Sequence, residues 1–376
     1  MDFFELNAFL TLSKTHGTVS SVPLLKRFCS GVCCMAEINI RTIAKESGVS
    51  PSMVSQVLNN RPVRVSEETR KRILAVAGKY RYVPNKIAAS LKLKSTKTIG
   101  LLAPFTPYGF FSNLIYNVQK YATDAGYLTM VVNTFEDPVH EVKEMELFRS
   151  GLFDGMLVAP LSGGLSGPLF QEMTEQHFPF VCVDRSIGKE LPFVSSDHEK
   201  VGYDLTRRAI DGGKRDILFV GRCNATNSAG LERKEGYRKA MADSGLAART
   251  VEFSYVGTHE LDLQSMCCAL QAAESLPDAF FIHSGYYLPL LVRALKALGM
   301  DATRFSYLMV DGFSFSPDYA GSSEPWFADV VGHCSMAIQD IDSIARRAVG
   351  LLVSSIQHGG VVAPGGVVVE PRYQQF

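Results

Sequence analysis

Apolar residues recur every three or four positions in two short runs over residues 39–59, and Gly48 separates the runs. In the first run, Ile40 and Ile43 share one face of a predicted helix, and Asn39 is suited to cap its start. Gly48 ends that helix because glycine adopts a left-handed conformation that other residues resist. The pattern therefore predicts a helix followed by a tight turn.

A second helix begins directly after the turn. Ser50 is a predicted N-cap, and Pro51 stands at the first helical position, where proline is tolerated. The apolar positions that follow form an inner stripe: Met53, Val54, Val57 and Leu58. Short polar side chains remain on the outer face: Ser52, Ser55, Gln56 and Asn59. A helix with this outer face suits the major groove of DNA.

A third helix is predicted from Ser66, which is a suitable N-cap and is followed by two glutamates where the helix dipole favours carboxylates. Its apolar positions recur at helical spacing: Ile73, Leu74, Ala77 and Tyr80. Many small amphipathic bundles show the same spacing. The periodicity alone therefore does not identify a DNA-binding head.

From Thr98 onward, short apolar runs alternate with amphipathic stretches. The predicted strands are Ile99–Leu102, Leu128–Asn133, Gly155–Ala159, Phe180–Val183, Phe193–Ser195, Asp216–Val220, Val251–Tyr255, Ala279–Ile282 and Tyr307–Val310. The predicted helices are Leu114–Ala125, Val139–Arg149, Val201–Asp211, Leu231–Ser244, Leu263–Ser275, Leu288–Leu298 and Ile338–Ile356. This alternation predicts parallel sheets with helices on both faces, and the number of strands favours two α/β lobes.

Charge divides the chain at the same place. Residues 36–98 carry thirteen Lys and Arg against four Glu, a balance of +9, whereas residues 99–376 carry 22 basic and 32 acidic side chains, a balance of −10. A solvated charged face is the ordinary interpretation of such a cluster. The positive charge is confined to the segment with the outward polar helix, so a polyanion is its expected partner.

Several other functions lack a signal in the sequence. The eight cysteines show no paired ligand spacing, which predicts reduced thiols in a cytoplasmic protein. No apolar run is long enough to cross a bilayer. The histidines are scattered, and neither a phosphate-binding loop nor a Gly-x-Ser-x-Gly motif is present. We therefore expect no metal, no cofactor and no enzymatic activity.

Four short motifs, in order, resemble the DNA-binding head and hinge of LacI/GalR-family transcription factors. They are residues 43–60, 65–70, 82–85 and 88–91, within a nearly continuous match from Glu37 to Thr98. The resemblance implies a small all-α helix-turn-helix head and an α/β, two-lobed, periplasmic-binding-protein-like sensor with parallel sheets. The implied domains are an N-terminal extension (1–35), the head (36–83), a hinge helix and linker (84–97) and the sensor (98–376).

The resemblance also implies contacts with DNA. Ser50, Ser55 and Asn59 would anchor the second helix to phosphates, and Asn39 would join them at the start of the first helix. The implied base-reading positions are Pro51, Ser52 and Gln56, of which Gln56 suits a bidentate contact with adenine. Ala88, Leu91 and Lys92 belong to the implied hinge contacts, with Leu91 as a wedge in the minor groove. An ordinary linker is the alternative for this segment.

In the sensor the resemblance is looser. It implies an effector site that includes Phe110, Phe111, Asp184, Asn227, Arg233, His259, Ser284 and Ser314. Arg233 would offer a planar fork to a hydroxyl pair or a carboxylate, although a surface arginine at a helix start is the ordinary alternative. Ser284 and Ser314 stand where the family usually has carboxylates that hold sugar hydroxyls. A typical hexose is therefore not the expected ligand, and a carbohydrate or another metabolite stays open.

These features predict a homodimeric transcriptional regulator, a repressor of a near-palindromic operator under the control of a small-molecule effector. The alternative keeps the DNA-binding head but gives the sensor a protein partner in place of a small ligand. A third hypothesis, an enzyme in the α/β body, has no motif to support it. Residues 1–34 precede the family match, which favours Met35 as the start of translation over a functional arm.

Overall fold

The computed structural model describes residues 38–59, 62–83, 95–104, 109–161, 164–188, 190–222, 228–255, 259–312, 326–359, 362 and 364–375. Contacts divide the chain into two compact units, residues 1–89 and residues 90–376. The predicted N-terminal extension lies outside the described residues, as does most of the predicted hinge.

Three helices form the described part of the first unit: α1 (Ile40–Ser47), α2 (Pro51–Leu58) and α3 (Glu67–Lys79). Each helix begins after a predicted cap. The side-chain oxygens of Asn39, Ser50 and Ser66 accept hydrogen bonds from backbone N–H groups of the first turns. Gly48 ends α1 in the left-handed conformation, with a φ of 66°. The local signals of the sequence therefore position these helices correctly.

The three helices share one small apolar core. Its buried side chains are Ile43, Ala44, Val54, Val57, Ile73 and Ala77. The predicted stripe of α3 is wrong at Leu74, which is 50 % exposed. Arg72 on the same helix donates through Nε to the carbonyl of Ser47 at 3.0 Å and thereby ties α3 to the turn after α1.

The second unit contains two lobes, each with helices packed on a sheet. Lobe 1 contains β1 (Thr98–Ala103), α4 (Phe110–Asp124), β2 (Leu128–Asn133), α5 (Pro138–Phe148), β3 (Gly155–Val158), α6 (Gly167–Glu175), β4 (Phe180–Val183) and β5 (Phe193–Ser195). Lobe 2 contains α7 (His198–Asp211), β6 (Ile217–Arg222), α8 (Ser228–Asp243), β7 (Arg249–Phe253), α9 (His259–Gln271), β8 (Ala279–Ile282), α10 (Leu288–Ala297), β9 (Ser306–Val310), α11 (Trp326–Val331) and β10 (Cys334–Ile338). The chain ends with α12 (Ile341–His358), β11 (Gly366–Val368) and β12 (Arg372–Gln375).

The two sheets of the described residues have matching strand orders. Lobe 1 has the order β11-β5-β4-β3-β1-β2, and lobe 2 has the order β12-β10-β9-β8-β6-β7. Every pairing is parallel except that of β10 with β12. The carboxyl ends of the parallel strands, where α/β proteins bind ligands, therefore lie along one edge of each sheet.

Three segments of the described chain cross between the lobes. The first joins β5 to α7, the second joins β10 to α12, and the third joins β11 to β12. The return at α12 places its apolar face, including Ile344, Ala348 and Leu352, in the core of lobe 1. Several crossings of this kind form a hinge at one side of the cleft between the lobes.

The predicted fold class is confirmed, and the nine predicted strands agree with β1 to β9 to within two residues at either end. The last three strands, α6 and α11 are not among the predicted elements. The helix predicted from Ile338 begins at Ile341, because Ile338 ends β10. In the sequence the apolar residues of β10 run into those of α12 without a turn signal, while β11 and β12 are short and largely exposed.

Two glycines set the distance between α7 and α8. A Cβ on Gly202 would collide with the backbone carbonyl of Arg233, and a Cβ on Gly236 would collide with the carbonyl of Glu199. The two helix backbones can approach this closely only without side chains at the crossing. The crossing brings His198, at the start of α7, next to Arg233 on α8.

Gly236→Ala should destabilise the second unit, because the added methyl group meets backbone and not a flexible side chain. We expect a loss of about 1–3 kcal/mol in the free energy of unfolding, measured by urea denaturation followed by circular dichroism. Gly350→Ala in α12 is the matched control. Apart from its chain neighbours and the backbone of its own helix, no atom lies within 4 Å of the new Cβ, so the variant should gain about 0.5–1 kcal/mol. Equal effects of the two substitutions would contradict this account of the crossing.

Candidate functional site

The outer surface of α2 carries the predicted DNA-reading side chains in two rows, each with residues four positions apart. Pro51 and Ser52 are exposed at its start, and Gln56 is half-buried one turn after Ser52. Ser55 and Asn59 form the neighbouring row, where the Asn59 side-chain amide donates to the Ser55 carbonyl at 2.7 Å. Each row presents hydrogen-bonding groups over more than one turn of helix.

Two of the predicted DNA contacts also hold the helices in place. Ser50 Oγ accepts from the backbone N–H of Met53 at 3.2 Å, which leaves its hydroxyl proton for another acceptor. Asn39 Oδ1 accepts from the N–H of Arg41 at 2.9 Å and of Thr42 at 3.2 Å. Ala88, Leu91 and Lys92 lie outside the described residues.

In the second unit, polar side chains collect where the parallel strands end. Glu136 follows β2, Asp184 follows β4, Arg222 ends β6, and Asp311 follows β9. Asp184 and Asp311 occupy equivalent places, because β4 and β9 hold the same position in the two strand orders. Both adopt positive φ angles, 63° and 54°, which are uncommon for residues other than glycine. Such conformations cluster at functional sites.

A chain of hydrogen bonds links Asp184 to Arg233. The Nε2 atom of His198 lies 2.7 Å from the carbonyl oxygen of Asp184, and its Nδ1 atom lies 3.1 Å from Nη2 of Arg233. The carbonyl can only accept and the guanidinium can only donate. Nε2 therefore donates to the carbonyl, and Nδ1 accepts from Arg233. Arg233 also donates through Nη1 to the carbonyl of His283 at 2.8 Å.

Arg233 is buried, and its charge acts to lower the pKa of two carboxyl groups, those of Asp184 and Asp311. Burial alone would raise the pKa of Asp184, but His198, Arg185 and Arg233 outweigh it and hold the pKa of that carboxyl below its usual value. For Asp311 burial prevails and raises the pKa, although Arg233 and hydrogen bonds from Gln339 offset part of the effect. Both terminal nitrogens of Arg233 bond to protein groups, whereas Nε makes no hydrogen bond.

A carboxylate of lobe 1 joins the two lobes. Glu136 accepts from Nη2 of Arg185, which belongs to its own lobe, at 3.2 Å, and from Nη1 of Arg222, which belongs to lobe 2. Burial alone would raise the pKa of Glu136, but the two guanidinium groups outweigh it and hold that pKa below its usual value. This arrangement, which we call the Arg-Glu-Arg bridge, consists of Arg185, Glu136 and Arg222.

Aromatic side chains surround the bridge. The Arg185 guanidinium carbon lies 5.3 Å from the centre of the Phe111 ring, and Phe110 packs edge-on against Phe111. On lobe 2, the Arg222 guanidinium carbon lies 5.6 Å from the ring centre of Tyr255. Cations over aromatic faces are stabilised by the ring quadrupole, most strongly when solvent is excluded.

The structure brings several of the predicted effector residues together and leaves others outside its description. Phe110, Phe111, Asp184 and Arg233 lie in or beside this cluster. Ser284 follows His283 and caps the short turn Gly285–Tyr287. The backbone of His259 opens α9, and its side chain is not described. Asn227 and Ser314 lie outside the described residues.

Sequence reasoning missed most of the polar and charged residues that form the cluster. They are Glu136, Arg185, His198, Arg222, His283, Asp311 and Gln339. One local signal was present: Val310-Asp311 repeats, after β9, the Val183-Asp184 pair after β4. The repetition indicates a site only when β4 and β9 are known to be equivalent strands of the two sheets.

The described part of the chain shows no metal site, no disulfide and no membrane-spanning helix. Among those residues, no group of three or more His, Cys, Asp and Glu could hold a metal ion. The four described cysteines, Cys182, Cys267, Cys268 and Cys334, form no disulfide. None of the described helices is long and apolar enough to cross a membrane.

Comparisons with known proteins agree with a helical head joined to a two-lobed sensor. Residues 39–85 match the model for bacterial regulatory proteins of the lacI family. Residues 96–278 match periplasmic binding proteins and the sugar-binding domain of the LacI family, and residues 206–374 match a periplasmic-binding-protein-like domain. Together the three models span both described units.

Individual relatives support the same conclusion. The HTH-type transcriptional repressor PurR of Vibrio campbellii is 30% identical over 246 residues, which cover 64% of this chain and 72% of PurR. The HTH-type transcriptional regulator RegA of Clostridium saccharobutylicum is 32% identical over 209 residues, 55% of this chain and 62% of RegA. The crystal structure of the lac repressor dimer bound to operator and the anti-inducer ONPF shares the fold. Its TM-score is 0.73 at 17% identity, covering 90% of this chain and 98% of that one.

Fold and site thus define a regulator with a helix-turn-helix head and a periplasmic-binding-protein-like sensor. The chain belongs to the LacI family of bacterial transcriptional regulators.

The buried imidazole of His283 should make the stability of the sensor depend on pH. Burial lowers the pKa of His283 to about 4 from 6.5, although a hydrogen bond to the Val220 carbonyl offsets part of the effect. Between these values the unfolded state binds a proton that the folded state does not. Stability is therefore complete above about pH 6.5 and falls toward pH 4, by up to about 1.4 kcal/mol per pH unit.

His283→Gln should flatten this part of the stability profile, measured by urea denaturation at several pH values. His333→Gln, at an exposed position, is the control and should leave the slope unchanged. A slope that is the same in wild type and His283→Gln would show that the imidazole does not cause the loss.

Proposed function

We propose that the protein is a transcriptional repressor that binds a near-palindromic operator as a homodimer and responds to a small-molecule effector in the cleft of its sensor. The observation that carries the proposal is the capped turn before α2, which turns a row of polar side chains outward. A cleft with convergent buried polar groups, on the same chain, supports control by a ligand. A bacterial protein that binds operator DNA acts in the cytoplasm.

Within the head, Ser50, Ser55 and Asn59 contact phosphates and fix the register of α2, and Asn39 adds a contact from the start of α1. Pro51, Ser52 and Gln56 lie over base edges. Because proline has no N–H to donate, Pro51 reads shape or a thymine methyl group.

The proposed domains are the head at residues 36–83, the hinge at 84–97 and the sensor at 98–376. In the hinge, Leu91 enters the minor groove beside Ala88 and Lys92, which requires two hinge helices held side by side by a dimer. An effector that moves the lobes would part these helices and release the operator.

The edge of lobe 1 supports the homodimer. Among the described strands, β2 is the last of its sheet, and its Leu128 and Met130 side chains are 59% and 44% exposed. Tyr116 on α4 and Val139 on α5 are exposed in the same lobe. An open edge strand with apolar side chains favours association with another molecule, and a second copy gives the operator its two-fold symmetry.

The cleft favours a small ligand over a protein partner. Buried atoms of Asp184, Arg185, Ser196 and Arg233 make no hydrogen bond. A protein partner on the outer surface would not reach atoms at this depth, whereas a small molecule between the lobes would. A rise in melting temperature with a metabolite separates the two alternatives, because a ligand that binds the folded state must stabilise it.

Gln56→Ala should lose sequence discrimination without losing general affinity for DNA. The full chain should first enrich a near-palindromic sequence from a random pool. The variant should then bind that sequence about 1–3 kcal/mol more weakly, because a bidentate contact with one base pair is lost. Its affinity for random DNA at the same salt concentration should not change, because phosphate contacts provide that binding.

Leu74→Ala, on the exposed face of α3, is the control for the head and should bind both DNAs as wild type does. A full chain that enriches no sequence from the pool would contradict the proposed function. Equal losses for Gln56→Ala on operator and random DNA would remove Gln56 from the base-reading positions.

Met130→Glu should convert the dimer into monomers, because it places two carboxylates in a desolvated interface. Sedimentation velocity should show the change, and operator affinity should fall because one head reads only half of the site. Leu276→Glu is the matched control, since Leu276 is 51% exposed on lobe 2. A Met130→Glu variant that remains dimeric would exclude the β2 edge as the interface.

A further inference from the structure

The Arg-Glu-Arg bridge leaves strong hydrogen-bond donors buried without partners. Arg185 is buried, with 4% of its side chain exposed, and donates to Glu136 through Nη2 alone. Its Nη1 and Nε atoms make no hydrogen bond, and Nε lies 3.8 Å from Oδ2 of Asp184. Buried guanidinium groups are normally paired and fully hydrogen-bonded, because an unmet donor loses its hydration without compensation.

Other residues of the cleft also have buried polar atoms without hydrogen-bond partners. Nε of Arg233 and the hydroxyl of Ser196 are buried and make no hydrogen bond. On the acceptor side, Asp184 Oδ1 makes none either and lies 3.5 Å from Nε2 of His198. The arginine and aspartate atoms belong to one cluster, since Arg185 contacts Asp184 and His198 joins Asp184 to Arg233.

The chemistry of these atoms restricts the ligand. Guanidinium nitrogens can only donate, and their planar fork matches the oxygens of a carboxylate or phosphate. Asp184 can only accept while it is ionised, so it requires a hydroxyl or an N–H from the ligand. A neutral sugar would satisfy Asp184 but would leave the guanidinium donors with weak, uncharged acceptors. A simple inorganic anion would satisfy the guanidinium groups but would repel Asp184.

We propose that the effector is a small hydroxylated organic anion, with its carboxylate or phosphate group against Arg185 and Arg222 and a hydroxyl group against Asp184. This inference rests on the proposed effector role of the cleft. Glu136 is the internal competitor of the ligand, because its carboxylate holds the same two guanidinium groups. The ligand would therefore exchange an intramolecular ion pair for an intermolecular one between the lobes.

A structural bridge without a ligand role makes a different prediction for the same residues. If the bridge only holds the lobes together, loss of Glu136 or of Arg185 should act in the same direction on any ligand that needs a closed cleft. If Glu136 competes with the ligand, the two losses should act in opposite directions. The sign of the change in probe affinity therefore decides between the two.

Isothermal titration calorimetry on the full chain, at constant ionic strength, tests the proposal. The probes are gluconate and glucose 6-phosphate beside glucose, glycerate and glycerol 3-phosphate beside glycerol, and inorganic phosphate. At least one hydroxylated anion should bind tenfold or more tightly than its neutral parent and than inorganic phosphate. The comparison of carboxylates with phosphates identifies the anionic group.

For that anion, Arg185→Gln should weaken binding at least tenfold, and Glu136→Gln should strengthen it several-fold. Arg238→Gln, at an exposed arginine, should leave it unchanged. Binding of neutral parents alone, binding of no probe, or changes of the same sign for Glu136→Gln and Arg185→Gln would overturn the proposal.

DNA binding, measured on the same preparation without any probe, tests the proposed function separately from the proposed ligand class. A chain that selects an operator but binds no hydroxylated anion would refute the ligand class and leave the DNA-binding role intact. A chain that binds the anion but selects no DNA sequence would refute the DNA-binding role alone.

Discussion

The Arg-Glu-Arg bridge links the two lobes through one carboxylate, which is 17% exposed. Glu136 lies on lobe 1, and one of its two arginine partners, Arg222, belongs to lobe 2. Separating the lobes takes the Arg222 guanidinium from its carboxylate partner, which is unfavourable unless water replaces that partner. An open cleft must therefore hydrate these groups, and a closed cleft must pair them. Intermediate positions of the lobes satisfy neither requirement, which favours two discrete states.

The hinge side of the cleft provides a second set of paired groups. Asp311 accepts a hydrogen bond from the backbone N–H of Gln339, the residue at which the chain crosses from β10 to α12. On the other lobe, Ser195 Oγ donates to the carbonyl of Asp184 just before the chain crosses into α7. Both aspartates hold uncommon backbone conformations at the ends of equivalent strands. A ligand bound to Asp184 therefore lies directly beside the segments that must bend when the lobes move.

Helix ends and buried strands were predictable from the sequence where a few neighbouring residues determine them. Asn39, Gly48 and Ser50 each determine a helix end through their own side chain or backbone, so the head could be outlined from the sequence. The buried strands were predictable because parallel strands covered on both faces are continuously apolar. Leu74 was misassigned because helical spacing does not show which of two adjacent apolar positions faces the core. The strands β11 and β12 have little buried surface and hence little pattern.

The charged cluster could not be predicted in the same way. Glu136 and Arg222 are 86 residues apart in sequence, and their pairing depends on the equivalent ends of strands in different lobes. The resemblance to the LacI family indicated Asp184 and Arg233, but Glu136 and Arg222 were not part of that indication. Their importance follows from their low exposure and from their pairing across the two lobes, both of which are properties of the folded chain.

The proposal that an effector between the lobes controls operator binding can be tested most directly at the Arg-Glu-Arg bridge, by a double-mutant cycle. Operator affinity should be measured for wild type, Glu136→Gln, Arg222→Gln and the double variant, without effector and at one salt concentration. If the pair couples cleft and operator, each single variant changes the affinity and the double variant changes it little further, so the coupling energy is well above about 0.5 kcal/mol. Additive changes, or four equal affinities, would contradict the claim.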